Sequence, residues 1–110
     1  MNELLELAAK AAGMTIDTHY VDGGASVWEG ERHHSDWIPD WNPLDDDGDA
    51  LRLAVKLEIV VEYRRDASAA FAYNYARCLG IGENNKNLDP YAAIRRAIVR
   101  AAAEIGRNMT

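Results

Sequence analysis

The segment EIVVEYRRDASAAFAYNYARCL, residues 58–79, decides the fold. Its opening sets Ile59, Val61 and Tyr63 against Glu58, Glu62 and Arg64, the period of two required by a strand with one buried face. RRDAS then turns the chain. The continuation AAFAYNYARCL is rich in alanine and competes for a helix, but Phe71, Tyr73 and Tyr75 recur at every second position. That alternation predicts a second strand antiparallel to the first, and a sheet rather than an all-helical bundle.

Working outward toward the C-terminus, GIGENNKNLDP is rich in turn formers and reads as a loop. It ends in Asp89-Pro90, an N-cap followed by proline at the first helical position, where a missing N–H does no harm. The final helix carries Tyr91, Ile94, Ile98, Ala101 and Ile105 on one stripe, with Arg95, Arg96, Arg100 and Arg107 elsewhere and Gly106 at its end.

Toward the N-terminus, DWIPDWNPLDDDGDALRLAVKL (residues 36–57) leads into another helix from about Asp46. Its stripe of Leu51, Ala54 and Val55, flanked by Leu53 and Leu57, is expected to face the core. Residues 30–45, broken by Pro39 and Pro43, read as a loop. In TIDTHYVDGGASVWEG, the alternation of Ile16, Thr18 and Tyr20 and the DGG turn predict a hairpin. Residues 2–12 place Leu4, Leu7, Ala8 and Ala11 on one helical face, with Leu5 and Ala12 beside them, and Gly13 stands where a left-handed terminal residue is usual. The expected fold is a single α+β domain over residues 1–110. Its order is helix, hairpin, helix, hairpin, helix, with three helices covering one four-stranded, mostly antiparallel sheet.

A chain of 110 residues buries about 65% of its unfolded surface, enough for a core without disulfides. The lone Cys78 is expected to be a small buried hydrophobe in a reducing compartment. No apolar run approaches the roughly 20 residues that span a bilayer, and the acidic amphipathic start lacks the pattern of a secretory signal. The net charge of −6 conceals an asymmetry. Residues 1–50 hold twelve acids against two bases, a net −10, whereas residues 51–110 hold ten bases against six acids, a net +4. Kept apart in the fold, the two halves give one surface that repels phosphates and another that attracts them; folded back on each other, they mix.

Asp45, Asp47 and Asp49 alternate as in a calcium loop, but Ala50 and Lys56 stand where that loop needs glycine and glutamate. No metal site and no cofactor is therefore expected. The aspartates are instead suited to accept from the free N–H groups of a helix start. Trp37 and Trp41 are suited either to pin their loop to the sheet or, if one stays exposed, to anchor a partner. His33 and His34 have no zinc-like spacing to His19 or Cys78. Neither the serines nor GIGENN match a nucleophile elbow or a phosphate loop. The arginines of the last helix lack a basic arm or an aromatic basic sheet, so direct nucleic-acid binding is not expected.

Two segments, WNPLDDDGDALRLAVKL and DPYAAIRRAIVRAAAEIGR, resemble a group of small bacteriophage and prophage proteins of the phage ABA sandwich domain type. The resemblance spans residues 1–12 and 41–107 and implies helices layered on a sheet. It brings no catalytic motif. No activity comes with it; taken with the acidic composition and the lack of a catalytic constellation, it leads to the expectation of a phage accessory protein in the cytoplasm of a bacterial host, inhibiting or modulating a host (defence) protein. The contact surface expected is Asp36, Trp37, Asp40, Asp45, Asp46 and Asp47, presenting carboxylates where phosphates would lie. An alternative is a binder of a small nucleotide signal, using Arg95, Arg96 and Trp37. A further alternative is an assembly role in the phage particle, with ordered homo-oligomers as its signature. In none of these readings is the protein an enzyme.

Overall fold

The computed structural model describes residues 3–17, 25–29, 36–85 and 89–109, with the backbone alone given for 16–17, 25–29 and 36–40. The elements are α1 (Glu3–Ala11), β1 (Met14–Asp17), β2 (Ala25–Glu29), β3 (Asp36–Trp41), α2 (Asp47–Lys56), β4 (Val60–Arg64), β5 (Ala69–Asn74), β6 (Leu79–Asn84) and α3 (Pro90–Arg107). The α+β class, the three helices and the antiparallel strands are as expected. The single four-stranded sheet is not found: among the described residues the strands form two three-stranded antiparallel sheets, ordered β1-β2-β3 and β4-β5-β6. Each expected hairpin has acquired a third strand. No helix among the described residues is long and apolar enough to cross a membrane.

The first addition is β3, which the prolines had marked as loop. It pairs with β2 through Trp37 opposite Trp28 and Ile38 opposite Val27, and it lies at the sheet edge. Proline is tolerated there because one side of an edge strand needs no ladder bond. The second is β6, whose glycines had marked it as loop. Gly80 pairs with Tyr73 and Gly82 with Phe71, and a Cβ at either glycine would stand 3.2–3.3 Å from the facing ring. The aromatic side chains of β5 cover the space that side chains on β6 would have filled, which offsets the low strand propensity of glycine.

Helix α3 is the centre of the molecule, contacting α1, α2 and every strand of the second sheet. From Ala97 to Gly106 it is buried at every position except Arg100 and Glu104, because α1 covers one side and the sheet another. The surfaces in contact are made of small residues: Ala8, Ala9 and Ala12 at α1, Ala70 and Ala72 on β5, and Ala93, Ala97, Ala101, Ala102 and Ala103 on α3, all 2% exposed or less. Gly106 does not end α3, as its position had suggested. The helix continues to Arg107 with Asn108 as C-cap, and a Cβ at residue 106 would lie 2.0 Å from the Leu7 carbonyl oxygen. Gly106 is where α1 and α3 touch backbone to backbone.

Two side-chain assignments also change. On α1 the buried stripe is Leu5, Ala8 and Ala9, continuing to Ala12, while Leu4, Leu7 and Ala11 are only half-buried. On α2 the buried residues are Asp49, Ala50, Leu53 and Ala54, whereas Leu51 and Val55 are 64% and 70% exposed. Helix α2 packs on α3 rather than lying across a sheet, so a narrower face is covered than its apolar width allows. Tyr91, placed on the α3 core stripe by its spacing, is 66% exposed because it precedes the part of α3 that is roofed over.

The link from α2 to the second sheet is a tight C-terminal motif. Ile59 N–H donates to Ala54 O at 2.8 Å and Glu58 N–H to Val55 O at 3.3 Å, with Glu58 left-handed at φ 55°. The buried pair Ile59 and Ala54 supplies the apolar contact that accompanies this arrangement. Asn74, buried on β5, donates to Leu57 O at 2.8 Å and fixes the same corner to the sheet.

Two substitutions test these contacts by urea denaturation. Gly106→Ala forces α1 off α3 and is expected to lower stability by about 3 kcal/mol, since backbone on both sides blocks relaxation. Glu58→Gly removes left-handed strain at an exposed position and is expected to raise it by roughly 0.5–1 kcal/mol.

Candidate interaction surfaces

The segment joining the two halves of the fold is Trp41–Asp49, and its polar groups are held by one another. Asn42 N–H donates to Asp49 Oδ2 at 2.9 Å, and Asn42 Nδ2 to Asp45 Oδ2 at 3.0 Å. The Asn42 carbonyl accepts from the N–H groups of Asp45 and Asp46. Asp46 is the N-cap of α2, accepting from Asp49 N–H at 2.7 Å. Asp49 is 7% exposed and also accepts from Arg52 Nη2 at 2.8 Å. Trp41, 3% exposed, and the buried Pro43 anchor the loop to the core, as expected of a tryptophan that pins its loop.

Arg95 bridges this loop to α3, donating to Leu44 O at 2.9 Å and to Asp47 Oδ1 at 2.6 Å. Its side chain is 16% exposed. Arg96 turns the other way, to Glu83 at 3.2 Å, and Arg100 meets the same carboxylate. The two arginines expected to cooperate on a nucleotide thus serve opposite sides of α3. Both are explained by architecture: one fixes the start of α2, the other the edge of β6.

Of the six residues expected at an acidic contact surface, Asp45, Asp46 and Asp47 are exposed at the head of α2. The side chains of Asp46 and Asp47 are 59% and 72% exposed despite their bonds. Arg52 and Arg95 stand against the four aspartates 45, 46, 47 and 49, so the local charge stays negative. Asp36, Trp37 and Asp40 lie on β3, which runs directly into this loop, and their side chains fall outside the described residues. His19, His33 and His34 also lie outside them. Among the described residues, no three or more His, Cys, Asp or Glu side chains are grouped to hold a metal ion. Cys78 is exposed, contrary to expectation: it closes the short 3-10 turn Tyr75–Arg77 in a left-handed conformation at φ 53°, which sends the chain back into β6.

The surface that the sequence did not single out is the far face of the second sheet. Helix α3 covers the face carrying Ala70, Ala72 and Asn74; the other carries Phe71 and Tyr73, half-buried, and continues into Tyr75, 72% exposed. The three rings form a row, with centroids 6.2 and 5.8 Å apart and planes within 10° and 4° of parallel. Gly80 and Gly82 pair directly opposite Tyr73 and Phe71, which leaves the row low and open on the β6 side. Val60, Glu62 and Arg64 flank it on β4. At the far end Arg64 bonds Asp66 at 3.2 Å, and that hydrogen bond, with the attraction of the two charges, holds the fully exposed Asp66 carboxyl below its ordinary pKa. The sequence signal was present: aromatics and glycines each recur at every second position in adjacent strands, in register.

Comparison with protein-family models, with curated proteins and with solved structures finds no match to this chain.

The polar core of the loop is testable by thermal and urea unfolding. Asp49→Ala leaves the Asn42 N–H unpaired in a part-buried site and is expected to cost about 2 kcal/mol. Asp46→Asn keeps an equally good N-cap and should change stability by less than about 0.5 kcal/mol.

Proposed function

We propose that this chain is an accessory protein encoded by a bacteriophage or prophage, acting in the cytoplasm of the bacterial host by binding a host protein and inhibiting or modulating it. It performs no chemistry of its own. The origin rests on the resemblance of its two longest motifs. The mode of action rests on one observation, the stacked row of Phe71, Tyr73 and the exposed Tyr75 on the outer face of the second sheet.

Tyrosine is enriched at interface hot spots because it offers a large apolar body, a polar tip and few rotors. A sheet that holds its rings parallel beforehand limits the ordering lost on binding. Glu62 and Arg64 beside the row supply opposite charges at its rim. This mixture suits a protein surface better than a phosphate backbone, and the net charge of −6 weighs against nucleic acid as well. The engagement of Arg95 by Leu44 and Asp47, and of Arg96 by Glu83, weighs against a nucleotide site there.

A second contact surface is favoured by the exposure of Asp46 and Asp47. These carboxylates are fixed by capping and by Arg95 yet remain open, a rigid negative surface continuous in sequence with Asp36, Trp37 and Asp40. It fits a host protein that ordinarily binds nucleic acid.

Affinity capture from a host lysate separates the two surfaces, with thermal unfolding of each variant as the folding control. Replacing both Tyr73 and Tyr75 by alanine is expected to reduce capture of a specific band roughly tenfold or more, as loss of a hot spot does. Asp45→Asn with Asp46→Asn should leave it nearly unchanged. The reverse pattern assigns the contact to the acidic loop, and capture indifferent to both pairs overturns the proposal.

A further inference from the structure

The two edges of the second sheet are finished differently. On β6, Glu83 is drawn to Arg96 and Arg100 of α3, and Arg100 also reaches the Gly82 carbonyl at 3.4 Å. Charge held over an edge in this way blocks pairing with another chain. Among the described residues no charge from α3 is held over the β4 edge; its own charges, Glu62 and Arg64, lie on the strand itself, with Arg64 bonded to Asp66. Its sequence VVEYR contains neither proline nor lysine, and its pairing with β5 runs from Val60 to Arg64 without a bulge. Val60 and Val61 are 46% and 37% exposed. Among the described residues, β5 is the strand with which β4 pairs.

Apolar surface continues inward from this edge. Leu51 of α2, Val61 of β4, and Tyr91 and Ile94 of α3 line a cleft of about 320 Å³. Leu51 and Tyr91 at its mouth are 64% and 66% exposed. A strand edge that no helix charge covers, beside an open apolar cleft, is an arrangement by which sheets extend across an interface when the edge charges find opposite partners.

The charges on β4 indicate what extends it. Glu62 and Arg64 alternate on the outer face with Val60, as their pairing opposite Phe71, Ala69 and Tyr73 requires. In an antiparallel pair of two identical strands with the two-fold axis at Tyr63, Glu62 of each copy lies directly opposite Arg64 of the other, whereas an axis at Glu62 would set the two Glu62 carboxylates against each other. Such opposite-charge cross-strand pairs are favourable, and symmetry makes each one occur twice. On the inner face Val61 then meets the Arg65 stem of the second copy. A strand complementary to itself is suited to a second copy of the same chain.

We propose that β4 pairs antiparallel with β4 of a second copy, forming a six-stranded sheet across a two-fold dimer and covering the Leu51–Tyr91 cleft. The aromatic rows of the two copies then share one face. Sedimentation of the full chain over a range of concentrations tests this, with melting curves to show that each variant is folded. The wild-type chain is expected to dimerise reversibly. Glu62→Arg or Arg64→Glu alone places like charges across the axis and should weaken the dimer roughly tenfold, whereas the double exchange E62R/R64E restores the pairing and the affinity. Leu51→Lys, at an exposed helix position, should weaken it independently of the strand. A chain that sediments as a monomer at every concentration overturns the proposal. So does a dimer unmoved by the single charge changes, or one that the double exchange fails to rescue.

Discussion

The close approach of α1 to α3 is the constraint on which the remaining structure depends. Gly106 sits with no room for a Cβ against the Leu7 carbonyl, and alanines line both helices around it. Small residues let backbones approach closely, so dispersion contacts are made by main chain and methyl groups rather than by long side chains. Because α1 is close on one side and the alanine face of β5 on another, α3 is enclosed along its C-terminal half. Its arginines can then emerge only at the margins, where they meet Asp47 on one side and Glu83 on the other. The position of α2, the protection of β6 and the exposure of β4 all follow from where α3 lies.

A core built of alanine has a functional consequence. The large apolar side chains are not all needed to fill it, and several remain at the surface: Leu51 and Val55 on α2, Val60 and Val61 on β4, Tyr75 and Tyr91. Scattered singly they would call for no explanation, but Leu51, Val61 and Tyr91 share one cleft and Tyr75 ends a row of three rings. Polar groups show the opposite economy. Asn42, Asp46, Asp49, Asn74 and Arg95 each fix one element against another, and no buried side-chain nitrogen or oxygen among the described residues is left without a partner. Among the described residues, apolar surface is thus left over while the polar side chains of the core are committed.

Much of this was legible in the chain itself. Gly13 adopts the left-handed conformation that its place after a helix suggested, with φ 73°. Asp89 caps α3 by accepting from Ala92 N–H at 2.8 Å, with Pro90 next to it. The alternation of Phe71, Tyr73 and Tyr75 chose strand over helix correctly for Ala69–Asn74, but the strand stops there: Tyr75–Arg77 form a 3-10 turn and Leu79 already belongs to β6. The acidic run ahead of α2 supplies the cap and the loop contacts that its composition fitted. Less legible were β3 and β6, each masked by residues with low strand propensity, and the aromatic face, which appears only once glycines from one strand lie opposite rings from the next.

The sequence by itself determined the features governed by residues a few positions apart: caps, turns, periodicity, and the class of fold they add up to. These depend on local hydrogen bonds and steric preferences that travel with the chain. Only the tertiary structure decided which apolar positions would be covered, that Pro39 could sit in an edge strand, that Gly80 and Gly82 would be roofed by aromatic rings, and that Gly106 would admit a neighbouring backbone instead of ending a helix. Each of those outcomes is set by a partner distant in sequence. Burial and strand pairing are properties of two surfaces meeting, and one segment's pattern carries no information about where its partner will lie.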